Sequence, residues 1–291
     1  MPGNGCRTDA ADVQVSSPAL PSFFVIGPPR TGTTWLHSLL SKCALLPHPN
    51  KETRFFDQHF ERGLKWYAAH YGEAATDRKI GEVAPTYFAS SKACERIAQL
   101  IPRAKVVCTF RNPVDRVWSL YRLKRAYGMI RWNFDEALVR DPELMESSRY
   151  AFHLEEWMKT FGSDQVLVTV HDDIVADAQS YLDTLVDFIG VPRMTLPPVH
   201  RPSLLSSANM TAPRNYYWTR GATLLAEWAK TRRLDSLVSA AKKWGAMSLF
   251  LGGGSAFAEL SSGQRTRLRK LFRPEIELLE GMLNRDLSHW K

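Results

Sequence analysis

Apolar residues along the chain fall into short unbroken runs followed by helical spacing. Phe23-Phe24-Val25-Ile26 is such a run, rich in β-formers and closed by Gly27-Pro28-Pro29. An apolar run bounded by turn residues predicts a buried strand. From Thr33 the period changes, and Trp35, Leu36, Leu39 and Leu40 share one helical face. The order strand, loop, helix recurs at Lys105–Phe110, where Arg111-Asn112-Pro113 leads into a helix carrying Val114, Val117, Trp118 and Tyr121. Asn112 suits the N-cap of that helix and Pro113 its first position. A third strand is expected at Val166–Val170, followed by a helix through Tyr181, Leu182, Leu185, Val186, Phe188 and Ile189 that Gly190 terminates. Tyr150, Leu154, Trp157 and Phe161 also keep helical spacing. Strands alternating with helices predict an α/β fold with a central parallel sheet flanked by helices.

The flanks are less patterned. Residues 1–21 are small and polar and read as a flexible leader, leaving 22–291 as one domain. Val191–Pro213 is rich in Pro, Ser and Arg and reads as a long loop; from about Tyr216 the pattern is helical, broken at Gly252-Gly253-Gly254. No internal repeat is visible. No charged start precedes a long apolar stretch, and the longest apolar runs are too short to cross a bilayer, so a cytoplasmic protein is expected.

Composition adds one constraint. At 44% hydrophobic and 23% charged residues the chain is of ordinary globular type, but its net charge is +8. That excess favours anionic partners. It is spread along the chain rather than massed in a tail, which argues against nucleic acid. Four cysteines stand far apart without a CxxC pair, and no acidic metal cluster is visible, so no metal is expected.

The chemistry concentrates in Gly27-Pro28-Pro29-Arg30-Thr31-Gly32-Thr33-Thr34, between the first strand and its helix. Backbone N–H groups of such a loop converge on an anion. Gly27, Gly32 and Thr34 match the P-loop pattern GxxxxGK[ST], but Thr33 stands where that pattern has lysine. A kinase or ATPase needs that lysine on its phosphates. Here the positive charge sits three residues earlier, on Arg30.

Pro29 to Trp35 resembles the 5′-phosphosulfate loop of the sulfotransferases, whose usual form is Lys-Ser-Gly-Thr-Thr-Trp, with Arg30 in place of lysine. Arg111 to Tyr121 resembles the same family's 3′-phosphate motif, an Arg with a Ser eight positions on, here Arg111 and Ser119. Lys51-Glu52-Thr53-Arg54-Phe55-Phe56 is similar to a segment of the glycan-modifying (heparan sulfate type) members, and Gly81-Glu82-Val83-Ala84-Pro85-Thr86-Tyr87 to another.

The resemblance implies a P-loop-like sulfotransferase fold. It also implies sulfuryl transfer from 3′-phosphoadenosine 5′-phosphosulfate (PAPS) to an acceptor hydroxyl, leaving 3′,5′-adenosine bisphosphate (PAP). By the same resemblance, Arg30, Thr31, Gly32, Thr33 and Thr34 hold the 5′-phosphosulfate, Trp35 stacks on adenine, and Arg111 and Ser119 hold the 3′-phosphate. Glu52 is the implied general base, and Arg30 stabilises the leaving oxygen. The phenol- and steroid-modifying members use a histidine base instead, and His48, His59 and His70 lie in the corresponding interval without a matching segment. The acceptor, whether sugar, lipid or small natural product, is not legible. Two rival classes stand beside this reading: a P-loop kinase-like nucleotide binder, and an inactive relative that binds an anionic glycan.

Overall fold

The computed structural model describes residues 20–72, 77–197, 210–231 and 253–291. The leader 1–19, the centre of the Pro/Ser-rich stretch and much of the segment before the glycine break lie outside the described residues.

All three expected strands are present. They are β1 (Phe23–Val25), β3 (Lys105–Phe110) and β4 (Val166–Val170). A fourth, β2 (Gly81–Val83), joins them in a parallel sheet of order β2-β1-β3-β4. Its pattern lacks an apolar run because its middle residue is Glu82, which the fold buries completely. The register pairs Phe24 with Glu82 on one side and with Val106 on the other.

Successive residues point to opposite faces of the sheet, and both faces are covered. Phe23, Val25, Val83 and Val107 pack against α1 (Thr33–Leu40). The same core takes in the apolar side of the helix Ala178–Ile189. The other face carries Phe24, Ile26, Val106, Cys108 and Phe110. It is covered by a thicker layer of α2 (Phe55–Gln58), α3 (Gly63–Ala68), α4 (Ser91–Leu100), α5 (Pro113–Ala126), α6 (Phe134–Arg140), α7 (Glu143–Glu146) and α8 (Tyr150–Phe161). Among the described residues the remaining α-helices are α9 (His171–Ala176), α10 (Ala178–Ile189), α11 (Tyr216–Thr231) and α12 (Ser262–Leu283). Trp35, Leu36, Leu39 and Leu40 of α1 are all buried, as are Tyr150, Leu154, Trp157 and Phe161 of α8.

Local capping follows the sequence closely. Asn112 caps α5, its side chain accepting from the Val114 N–H at 3.0 Å, with Pro113 in the first turn. Gly190 closes α10 in the left-handed conformation. One pairing was not legible. Within the expected loop, Thr211–Pro213 forms β5, which pairs antiparallel with β6 (Gly253–Ala256) at the glycine break. Three residues ending in proline and four starting with two glycines carry no alternating pattern, and only their partnership makes them strands.

Where β1 ends, the chain passes too close to β3 for any side chain. A Cβ on Gly27 would lie 2.4 Å from both the Thr109 Cγ2 and the Thr109 carbonyl oxygen. Gly27→Ala is therefore expected to cost about 1–3 kcal/mol through backbone displacement. Urea unfolding checks it: the midpoint falls with the slope unchanged.

Candidate active site

In chain order the path leaves β1 for β2 on one side and then returns to place β3 on the other. The carboxyl ends of β1 and β3 thus flank the switch point of the sheet, where open α/β folds receive ligands. The two loops singled out in the sequence, 27–32 and 111–112, both leave from this point.

In the first loop Arg30 has φ 79° and Gly32 φ 105°. Left-handed residues in a tight turn gather successive N–H groups on a concave side. Gly32 is also the N-cap of α1, and no side chain caps that helix start, so its first-turn donors are left for an anion. The loop is braced from within and behind. The Thr31 hydroxyl, wholly buried, donates to the Pro28 carbonyl at 2.8 Å, and Thr109 donates to the Thr31 carbonyl at 3.3 Å. Arg116 is fully buried and donates to the Ser148 hydroxyl at 2.7 Å, the Leu144 carbonyl at 2.7 Å and the Pro29 carbonyl at 3.4 Å.

The second motif meets the first directly. Ser119, buried on α5, accepts a hydrogen bond from Arg30 Nε at 2.9 Å. Arg111 follows β3, with its carbonyl held by the Tyr150 hydroxyl at 2.9 Å. The third motif comes over the start of α1. Lys51 Nζ lies 3.4 Å from the hydroxyl of Thr34 and 3.4 Å from Glu52 Oε1. Arg30, Gly32, Thr34, Lys51, Glu52, Arg111 and Ser119 therefore converge on one edge of the sheet, although up to 89 residues separate contacting partners in sequence.

Cations crowd this edge. Burial lowers the Arg30 pKa, and the fields of Arg111 and Arg122 lower it further. Burial also lowers the Lys51 pKa against the opposing pull of Glu52. Like charges held together and partly desolvated are unfavourable unless an anion arrives. The β3–β4 register ends on Phe110 opposite Val170, so Arg111 and His171 follow side by side. His171 Cδ2 would be 3.8 Å from a Cβ on Gly32, and its pKa is lowered by burial and then by Arg111.

Other expected residues fall elsewhere. Trp35 is 2% exposed and packs in the core against Tyr181, with ring centroids 6.0 Å apart. Trp35 thus lies in the core beneath α1. Thr31 and Thr33 are buried too. Of the three histidines raised as rival bases, His59 and His70 pack edge-on against Trp66, and the His48 N–H donates to the His70 carbonyl at 2.8 Å. The histidine beside Lys51 is His37 of α1, with its pKa lowered to about 4 by burial and then by Lys51.

Sequence reasoning missed Lys51, Arg116, His171 and Glu82 as parts of this region. Lys51 adjoins Glu52, and His171 closes an expected strand; both were visible as positions but not as neighbours. Among the described residues, no group of three metal-ligating side chains occurs, and no helix is long and apolar enough to cross a membrane.

A left-handed loop at an uncapped helix start, with two arginines and a lysine beside it, thus lies at the switch point of a parallel α/β sheet. The chain belongs to the sulfotransferase family, whose sulfotransferase domain model matches residues 20–219, more than half of its length. It is 31% identical over 195 residues to the bifunctional heparan sulfate N-deacetylase/N-sulfotransferase 4 of Mus musculus, covering 59% of this chain and 22% of that protein. It is 30% identical over 196 residues to the corresponding human enzyme 3, covering 59% and 22%. The chain thus spans about a fifth of the length of these curated relatives. A sulfotransferase from Alicyclobacillus acidocaldarius shares the fold, with a TM-score of 0.67 at 21% identity over 94% of this chain and 99% of that one. The kinase-like reading gives way to this family.

Proposed function

We propose that the chain transfers the sulfuryl group of PAPS to an acceptor hydroxyl, releasing PAP, with Glu52 as general base. The observation that carries the reading is the gathering of Arg30, Lys51 and Arg111 around an uncapped helix start at the carboxyl end of the sheet, a setting that favours an anion. A nucleotide with phosphates at both ends of its ribose fits two cation groups served by two separate loops.

Arg30 and the backbone N–H groups of Thr31, Gly32, Thr33 and Thr34 hold the 5′ end, with the Thr34 hydroxyl and the Lys51 ammonium beside them. Arg111 and Ser119 hold the 3′ end. PAPS supplies an activated sulfur–oxygen bond to the leaving phosphate. Transfer of this kind is in-line and loose, so the protein contributes positioning and charge stabilisation. Glu52 removes the acceptor proton, a role worth about 10²–10⁴ in rate. Lys51 holds the Glu52 carboxylate towards the loop, and Arg30 and Lys51 stabilise charge on the departing oxygen. The relatives named as N-sulfotransferases favour a nitrogen acceptor as the competing reading, and the same base serves it.

The full chain incubated with PAPS and a panel of sugar, lipid, phenol and amine acceptors is expected to release PAP and give a sulfated product in excess EDTA. The expectation rests on Thr33 replacing the P-loop lysine and on the lower charge of a sulfuryl group. Turnover that stops on chelation and returns with magnesium overturns it. PAP binding without turnover of any acceptor supports the inactive-relative reading instead.

A further inference from the structure

We propose that Glu82 is a positioning residue for the general base, holding Thr53 from below and thereby setting the place of Glu52. The inference rests on the reading of Glu52 above. Glu82 is fully buried in the middle of β2. Its Oε1 accepts the Thr53 backbone N–H at 2.9 Å and the Thr53 hydroxyl at 2.7 Å. Its Oε2 accepts the Tyr67 hydroxyl at 2.7 Å, and the Tyr87 hydroxyl lies 3.3 Å from both oxygens.

The segment above has little else to fix it. Residues 51–54 form no helix or strand, and Arg54 turns the chain at φ 52° before α2 begins. The Glu52 side chain is about a quarter exposed, with Lys51 3.4 Å away. Below Glu52 the anchoring is dense. The Thr53 hydroxyl accepts the Phe55 N–H at 3.1 Å, and the Tyr87 hydroxyl accepts that of Phe56 at 3.3 Å. Glu52 therefore inherits its position from its neighbour Thr53, whose amide the carboxylate grips.

The network also has a direction. Tyr71 donates to Tyr67 at 3.0 Å, and Tyr67 donates to Glu82. Every surrounding hydroxyl can point its proton inward only while the carboxylate is ionised. Burial pushes the Glu82 pKa from 4.5 up to about 7. A carboxyl raised in this way binds its proton more tightly folded than unfolded, so it takes stability from the fold as pH rises from about 4.5 to about 7.

The test compares kcat, PAP affinity by calorimetry and melting temperature for four variants of the full chain. Thr53→Val removes the hydroxyl at constant shape and is expected to lower kcat about tenfold or more, with PAP affinity within about twofold. Thr53→Ser restores the hydroxyl and should recover most of the rate. Tyr67→Phe removes only one hydroxyl and should lower kcat about threefold or more; it carries the test if Thr53→Val does not fold. Ile97→Val, a truncation buried in the same core, serves as the destabilised control with normal kcat. Wild-type kcat in folded Thr53→Val overturns the proposal, as does a rate loss shared by Ile97→Val. A dead Glu52→Gln beside a normal Thr53→Val overturns this inference alone, whereas an active Glu52→Gln overturns the base reading and this inference with it.

Discussion

Glu52→Gln is expected to lower kcat by about 10²-fold or more while PAP affinity stays within a few-fold. Glutamine keeps the shape and can still meet Lys51, which lies 3.4 Å from the native carboxylate, but it cannot accept the acceptor's proton. Steady-state rates with a working acceptor, set beside calorimetry with PAP, separate the chemical step from donor binding. Histidine variants give the contrast. His48→Ala, His59→Ala and His70→Ala should each keep most activity, because His59 and His70 pack on Trp66 and His48 is tied to His70 through the backbone. His37, whose pKa is lowered to about 4 by burial and then by Lys51, lies closer to Glu52, and His37→Ala belongs in the same comparison. A Glu52→Gln enzyme near the wild-type rate, together with one inactive histidine variant, would sink the carboxylate base and favour the histidine-base members as the model.

The second large effect concerns nucleotide choice. PAP is expected to bind about tenfold to a hundredfold more tightly than 5′-AMP, since a charge-assisted contact is worth roughly 1.5–3 kcal/mol. Arg111 emerges from β3 and Ser119 lies two turns along α5, so the 3′-phosphate meets an arginine fork and a hydroxyl already polarised by Arg30 Nε at 2.9 Å. Arg111→Ala should erase the preference and leave the melting temperature nearly unchanged, because the contact that fixes this position is made by its backbone carbonyl to Tyr150. Calorimetry giving equal affinity for the two nucleotides in the wild-type chain contradicts the assignment of this motif. Arg30→Ala should differ from both variants, weakening donor binding and turnover together, since its charge serves the bound donor and the departing phosphate alike.

The sequence by itself determined whatever is decided within a few residues. The buried strands at Phe23–Val25, Lys105–Phe110 and Val166–Val170, the Asn112 cap and the Gly190 stop all depend on spacing and local hydrogen bonds. The loop between β1 and α1 was legible for the same reason, since glycine and proline punctuation marks it locally. Only the tertiary structure decided what depends on which strands adjoin. Strand order brings Arg30 to Ser119 and sets His171 beside Arg111, contacts that no local pattern encodes. The burial of Trp35 was likewise decided by the fold, because a tryptophan on an apolar helix face reads the same whichever side it meets. Glu82 is the sharpest case. A lone glutamate between Gly81 and Val83 argues against a buried strand, yet Thr53, Tyr67 and Tyr87, on three separate segments, supply the donors that let a carboxyl remain there. A buried polar group is tolerated only where its partners are assembled, and their assembly belongs to the fold as a whole.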